Sequence, residues 1–113
     1  MEPRAKIWIE QDGKLVLSDY RVRLLLLIDE TGSLADAAAR MHLSYRRAWG
    51  KLREIEQNLG LKLVESSAGG AGGGGSRLTP QGKQLVEVFQ RFSSASTEQL
   101  AREFARAFKR PAR

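Results

Sequence analysis

The chain has no cysteine and a single histidine, His42. Disulfides and thiolate metal sites are therefore excluded, an imidazole pair for a metal cannot be assembled, and a histidine-based catalytic triad is not expected. No metal and no cofactor is expected. Long apolar runs are also missing. The longest, residues 24–28 ("LLLLI"), falls far short of the roughly 18 residues of a membrane span. The start of the chain, "MEPRAKIWIEQDGK", lacks the apolar stretch of about 7–15 residues found in a signal peptide. The expectation is a cytoplasmic, nucleoid-associated protein with no membrane partner. Positive charge and glycine are what the chain has in excess: 19 Lys and Arg against 13 Asp and Glu give a net charge of +6, and glycines number 11. At 113 residues it has room for one basic domain. Such a domain suits a polyanionic partner, with nucleic acid foremost.

Local patterns order the elements. In "AKIWIEQDGKLVLS", Ile7 and Ile9 alternate with Lys6, Trp8 and Glu10, Asp12-Gly13 is a favoured two-residue turn, and Leu15 and Leu17 alternate on the return, which predicts a β-hairpin over 5–17. Ser18 is a helix N-cap with Asp19 in the first turn, and the helix 19–31 stops at Gly32. Its apolar residues cover more than one face, so it is buried within its own core or against a second subunit. Ser33 caps a short helix 34–41, "HLS" is a tight connector, and Ser44 caps a helix 45–59 that ends at Gly60. Two helices joined by about three residues, with another ahead of them, make a helix-turn-helix. Thr79 and Pro80 open the last helix as N-cap and N1. The stretch "SSAS" interrupts that helix weakly, and Ser96 with Gln99 reads as a capping box restarting it.

The run "SSAGGAGGGGSRLTP" (66–80) admits three readings: tether, phosphate-binding loop, or hairpin tip. A G-x-G-x-x-G match exists, but no helix follows it directly, and in so glycine-rich a run the match is nearly automatic. Strand-like "LKLV" and "RLT" flank the run, with Leu61, Leu63 and Val64 as strand residues. The hairpin reading is taken, as a wing over 61–79. Its glycines present bare backbone to phosphates or a minor groove, and Arg77 adds charge at its base.

On the helix 45–59, Ala48, Leu52, Ile55 and Leu59 form the core face, and Arg46, Gly50 and Arg53 lie opposite. A mid-helix glycine costs about 1 kcal/mol relative to alanine. Gly50 therefore implies close approach of a DNA backbone or base edge, or else a packing constraint. Recognition helices read bases with their amino ends, here Ser44, Tyr45, Arg46 and Arg47; either arginine can address guanine bidentately. Trp49 and Tyr45 remain divided between packing and DNA contact. His42 sits in the turn as a structural residue or phosphate neighbour. The carboxylates Asp19, Asp29, Glu30, Glu54 and Glu56 read as helix-end or surface charges without a nucleophile–base pair, so no enzyme is expected.

With "TGSLADAAARMHLSYRRAWGKL" and "GGAGGGGSRLTPQG" in view, the sequence resembles the DNA-binding domain of the molybdate-responsive ModE-type transcription regulators. It is similar, less closely, to the winged domain of LysR-type regulators through "SLADAAARMHLS" and "LTPQG". The resemblance covers about residues 7–92 and implies a mainly α fold with small β. That fold is a winged helix-turn-helix (1–92) with an N-terminal hairpin and a long C-terminal dimerisation helix (80–110). It also implies a homodimer on a palindromic operator in double-stranded DNA. The DNA-contacting set becomes Ser33, Ser44, Tyr45, Arg46, Arg47, Trp49, Gly50, Arg53, Gly72, Gly73 and Arg77. The dimer set becomes Leu24, Leu27, Ile28, Val88, Phe92, Leu100, Phe104 and Phe108. About 20 residues follow Phe92, too few for the C-terminal oxyanion-binding module of the full-length regulators, so direct molybdate sensing is not expected. Regulation would come through a separate effector protein, another ligand or abundance, unless the chain is a fragment. The competing readings are a nonspecific or architectural nucleic-acid binder and a winged-helix adaptor for protein partners.

Overall fold

Asp12 and Gly13 both have positive φ, 54° and 77°, the combination that the tight I′ hairpin turn requires. The computed structural model describes residues 1–70 and 73–109, with the side chains of residues 67–74 outside that description. The turn joins β1 (Trp8–Gln11) to β2 (Lys14–Ser18) in an antiparallel pair. Strict alternation does not survive along β2. Ile9 pairs with Leu17 and Glu10 with Leu15, so Val16 is the extra residue of a β-bulge, and Val16 and Leu17 are both buried.

Three helices follow with the expected caps. Ser18 Oγ accepts the Arg21 N–H at the start of α1 (Asp19–Thr31). Ser33 Oγ accepts the Asp36 N–H at the start of α2 (Leu34–Arg40). Ser44 Oγ accepts the Arg47 N–H at the start of α3 (Tyr45–Leu59). The α2–α3 turn is a Schellman motif closed by His42 in the left-handed region (φ 57°): the His42 N–H donates to the Ala39 carbonyl and the Leu43 N–H to the Ala38 carbonyl.

The strands of the second hairpin, β3 (Val64–Gly70) and β4 (Gly73–Leu78), begin later than expected and reach further into the glycine run. Leu61 and Leu63 precede the strand. Leu63 is buried in the core while Leu61 is exposed. The tip residue Gly72, expected to contact DNA, lies outside the described residues.

The last helix, α4 (Pro80–Ala107), is unbroken through "SSAS". Four small polar or alanine residues contain neither glycine nor proline, and Thr97 Oγ1 bonds back to the Ser93 carbonyl within the helix. Its first turns are fitted closely to the body. Thr79 Oγ1 accepts the Gly82 N–H and donates to the Lys62 carbonyl. A Cβ on Gly82 would collide with the Leu63 carbonyl oxygen. That contact is why a glycine stands in the first turn of a long helix.

α1 is the central element, packed against α2, α3, α4, β2 and β4. Leu24, Leu25 and Ile28 on it, Ala37 on α2, Ala48 and Ile55 on α3 and Leu63 beyond are sealed from solvent, with Val86 and Phe89 of α4 closing one side. This corrects two members of the expected dimer set. Leu24 and Ile28 are 0% exposed within a single subunit. They point into its own core because five elements surround α1, and no partner surface can reach them. The apolar side chains that α1 leaves outside or half-outside are Leu26 and Leu27.

Candidate nucleic-acid interface

α3 presents a core row and an outward row. Ala48, Leu52 and Ile55 are buried and Leu59 is half-buried, as the spacing predicted. Arg46, Gly50 and Arg53 are exposed on the opposite side. An added Cβ on Gly50 would meet nothing within 4 Å. Of the two reasons for a glycine there, crowding inside the subunit is therefore removed.

The amino end of α3 faces solvent. Ser44, Tyr45, Arg46 and Arg47 are all exposed. Among the described residues no carboxylate pairs with Arg46, Arg47 or Arg53. A helix amino end carries unsatisfied N–H groups and partial positive charge, which add to the guanidinium charges here. Trp49 is 48% exposed, and the guanidinium of Arg53 lies 5.2 Å from its ring centroid. Packing between helices is thus not what holds this tryptophan; Arg53 one turn further on stacks against it instead. Ser33 is half-buried with its hydroxyl engaged in capping α2.

The wing is tied to the body by polar contacts at its base. Asp29 Oδ1 accepts the Leu78 N–H at 3.1 Å, and the Ser76 N–H donates to the Gly32 carbonyl at 2.8 Å. Glu56 Oε2 accepts the N–H groups of Leu63 at 2.8 Å and Val64 at 3.3 Å. Asp29 and Glu56 are therefore not plain surface charges, as sequence reasoning had them, but clamps from α1 and α3 onto the two wing strands. Their acceptor role depends on a strand 49 positions away for Asp29 and on the turn after α3 for Glu56, which local patterns do not carry. Arg77 stands opposite Glu65 in the β3–β4 register and pairs with it at 3.0 Å. Its charge is thus shared with a carboxylate, although the side chain stays 63% exposed. Gly73 opens β4 at the edge of the described wing.

The geometry accords with what the chain resembles. Residues 20–83 match the bacterial regulatory helix-turn-helix proteins of the lysR family. The chain belongs to that family. It is 36% identical over 86 residues to the molybdenum transport protein ModE of Azotobacter vinelandii, covering 76% of this chain and 32% of that one. It is 33% identical over 89 residues to the DNA-binding transcriptional dual regulator ModE of Escherichia coli (strain K12), covering 79% and 34%. It thus spans about a third of the length of these curated relatives. Among solved structures, the DNA-binding domain of CbnR in complex with DNA matches with a TM-score of 0.60 at 25% identity, over 80% of this chain and 99% of that chain. The DNA-binding domain of BenM bound to benA site 1 DNA shares the fold, with a TM-score of 0.58 at 17% identity over 83% and 100%. The Escherichia coli relative is described as a DNA-binding transcriptional regulator, and CbnR as a LysR family transcriptional regulator. Among the described residues no helix is long and apolar enough to cross a membrane.

Beyond Phe92, α4 contains no buried residue. Val88, Phe92 and Phe108 are exposed, Leu100 and Phe104 half-buried, and the Phe104 and Phe108 rings stack at 4.7 Å. Together with Leu26 they form apolar surface that this subunit leaves open.

Proposed function

We propose that this chain is the DNA-binding part of a transcription regulator, acting as a homodimer on a palindromic operator. α3 enters the major groove amino end first, and the glycine-rich wing lies on the backbone or minor groove. One observation carries the reading: among the described residues Arg46 and Arg47 stand without acidic partners at the exposed amino end of α3, beside a glycine whose surroundings are open. A bare backbone there lets the helix approach base edges closely, and two guanidinium forks suit guanine or phosphate. The exposed apolar residues of α4, with Leu27 on α1, supply the subunit contact. A dimer of this kind places two recognition helices one or more helical turns apart, about 34 Å each.

Selection of bound sites from random duplex DNA tests the reading. The expected result is a two-half-site motif whose preference falls by about 1–3 kcal/mol on Arg46→Ala or Arg47→Ala, whereas Arg77→Ala lowers specific and nonspecific affinity alike. Binding that weakens with salt but selects no motif would replace this reading with that of an architectural binder.

A further inference from the structure

The side-chain ties between the N-terminal hairpin with its α1 junction and α3 fall on one row of the helix. Lys51, Glu54 and Asn58 lie within about 60° of one another at about 100° per residue. Lys51 Nζ sits 5.2 Å from the Tyr20 ring centroid. Asn58 Nδ2 donates to the Leu15 carbonyl at 2.9 Å, and the Asn58 carbonyl accepts from Gln11 Nε2 at 3.2 Å. Arg21 stands at the centre, 7% exposed. Its Nη1 donates to the same Leu15 carbonyl at 3.1 Å, and its Nη2 pairs with Glu54 Oε2 at 3.2 Å. One planar guanidinium thereby joins β2, α1 and α3. The row flanks the core-facing residues on one side, and Glu56, which holds the start of the wing, flanks them on the other. The hairpin, Trp8–Ser18, lies ahead of the segment 20–83 that matches the family model.

We propose that the hairpin braces α3, with Arg21 as the positioning residue that sets the angle at which the outward face of α3 is presented and so its sequence selectivity. The inference rests on the DNA-binding reading above. Apolar contacts through Ala48, Leu52 and Ile55 are non-directional and tolerate a small roll or slide of the helix. A buried guanidinium held between the backbone carbonyl of Leu15 and the Glu54 carboxylate resists it. Hydrogen bonds to base edges weaken steeply once distance or angle departs from the optimum. Long arginines reaching phosphates accommodate such a shift. Loss of the brace therefore erodes selectivity before it erodes affinity for DNA at large.

The test uses the whole chain with Arg21→Lys, Glu54→Lys and Glu54→Gln. An ammonium cannot span both acceptors as the guanidinium fork does. Arg21→Lys and Glu54→Lys should each lower the ratio of motif to random-DNA affinity by about fivefold or more, with random-DNA affinity nearly constant for Arg21→Lys. Glu54→Gln keeps an acceptor for Arg21 and should retain the ratio. In the free protein, residual dipolar couplings of backbone amides should show the α3 axis reoriented relative to α1 in Arg21→Lys and unchanged in Glu54→Gln. Should either charge variant fail to fold, Asn58→Ala carries the same two measurements. An unaltered α3 axis in folded variants overturns the brace whatever the DNA result. An altered axis with undiminished selectivity overturns its functional half. A wild-type protein that selects no motif overturns the DNA-binding reading instead, and the couplings still decide whether the hairpin holds the helix.

Discussion

The N-terminal hairpin keeps its place with side chains: Val16 and Leu17 are buried in the core, and Leu15 offers a carbonyl to both Arg21 and Asn58. Among the described residues, the second hairpin is held at its base, where Leu78 is buried and Asp29, Gly32 and Glu56 take hydrogen bonds from its strands and the approach to them. Beyond Ser66 it is largely glycine, with little side-chain area to bury. One ribbon is therefore part of the body and orients it. The other carries, beyond Ser66, a sequence with few side chains to cover its backbone, a composition that suits contact with a phosphate chain. Two antiparallel hairpins differ because one packs side chains along its length and the other, beyond its base, is mostly glycine.

That contrast can be broken by substitution. Leu17→Ala, in the packed hairpin, is expected to cost about 3 kcal/mol of unfolding free energy, read by denaturant titration; a loss near that of a surface substitution would mean that the hairpin is not part of the core. Gly82→Ala strikes the seat of the second hairpin. The new methyl group meets the Leu63 carbonyl, which is backbone and cannot swing aside, so a net loss of about 2 kcal/mol is expected despite alanine's better helix propensity; thermal melting measures it, and an increase in stability would show that the two segments separate readily. Asp29→Ala removes the acceptor for the Leu78 N–H and should cost about 1.5 kcal/mol, with Asp29→Asn recovering most of it. Amide exchange at Leu78 locates the effect. Ser66→Ala, in the exposed part of β3, should shift stability by less than about 0.5 kcal/mol. A larger change in melting temperature would show that the projecting ribbon carries structural weight.

Much of the architecture was legible because it is written in short-range chemistry. Ser18, Ser33, Ser44 and Thr79 each cap the helix their spacing suggested, and Asp12-Gly13 makes its turn. The division of α3 into a core row and an outward row follows from helical period alone. The errors share a cause. Leu24 and Ile28 belonged to an apolar stretch too wide for one face, and sequence could not apportion it between the subunit's own core and a second subunit. Only the arrival of α2, α3, β2, β4 and α4 around α1 assigns both to the interior. The supposed break at "SSAS" gave weight to serine's preference for caps, yet nothing there ends a helix. Gly82, in the "LTPQG" motif, was readable by the logic applied to Gly50, since a glycine inside a helix needs a reason.

Sequence by itself determined the succession of helices and ribbons, the caps that delimit them, the charged amino end of α3 and the glycine content of the wing, because each depends on residues within a turn or two of one another. Tertiary structure alone decided which apolar residues α1 keeps for itself, that Asp29 and Glu56 hold the wing, that Arg21 joins three elements and that Gly82 makes room for Leu63. Those outcomes depend on groups distant along the chain meeting within hydrogen-bond or van der Waals range, and such meetings are set by the packing of whole elements.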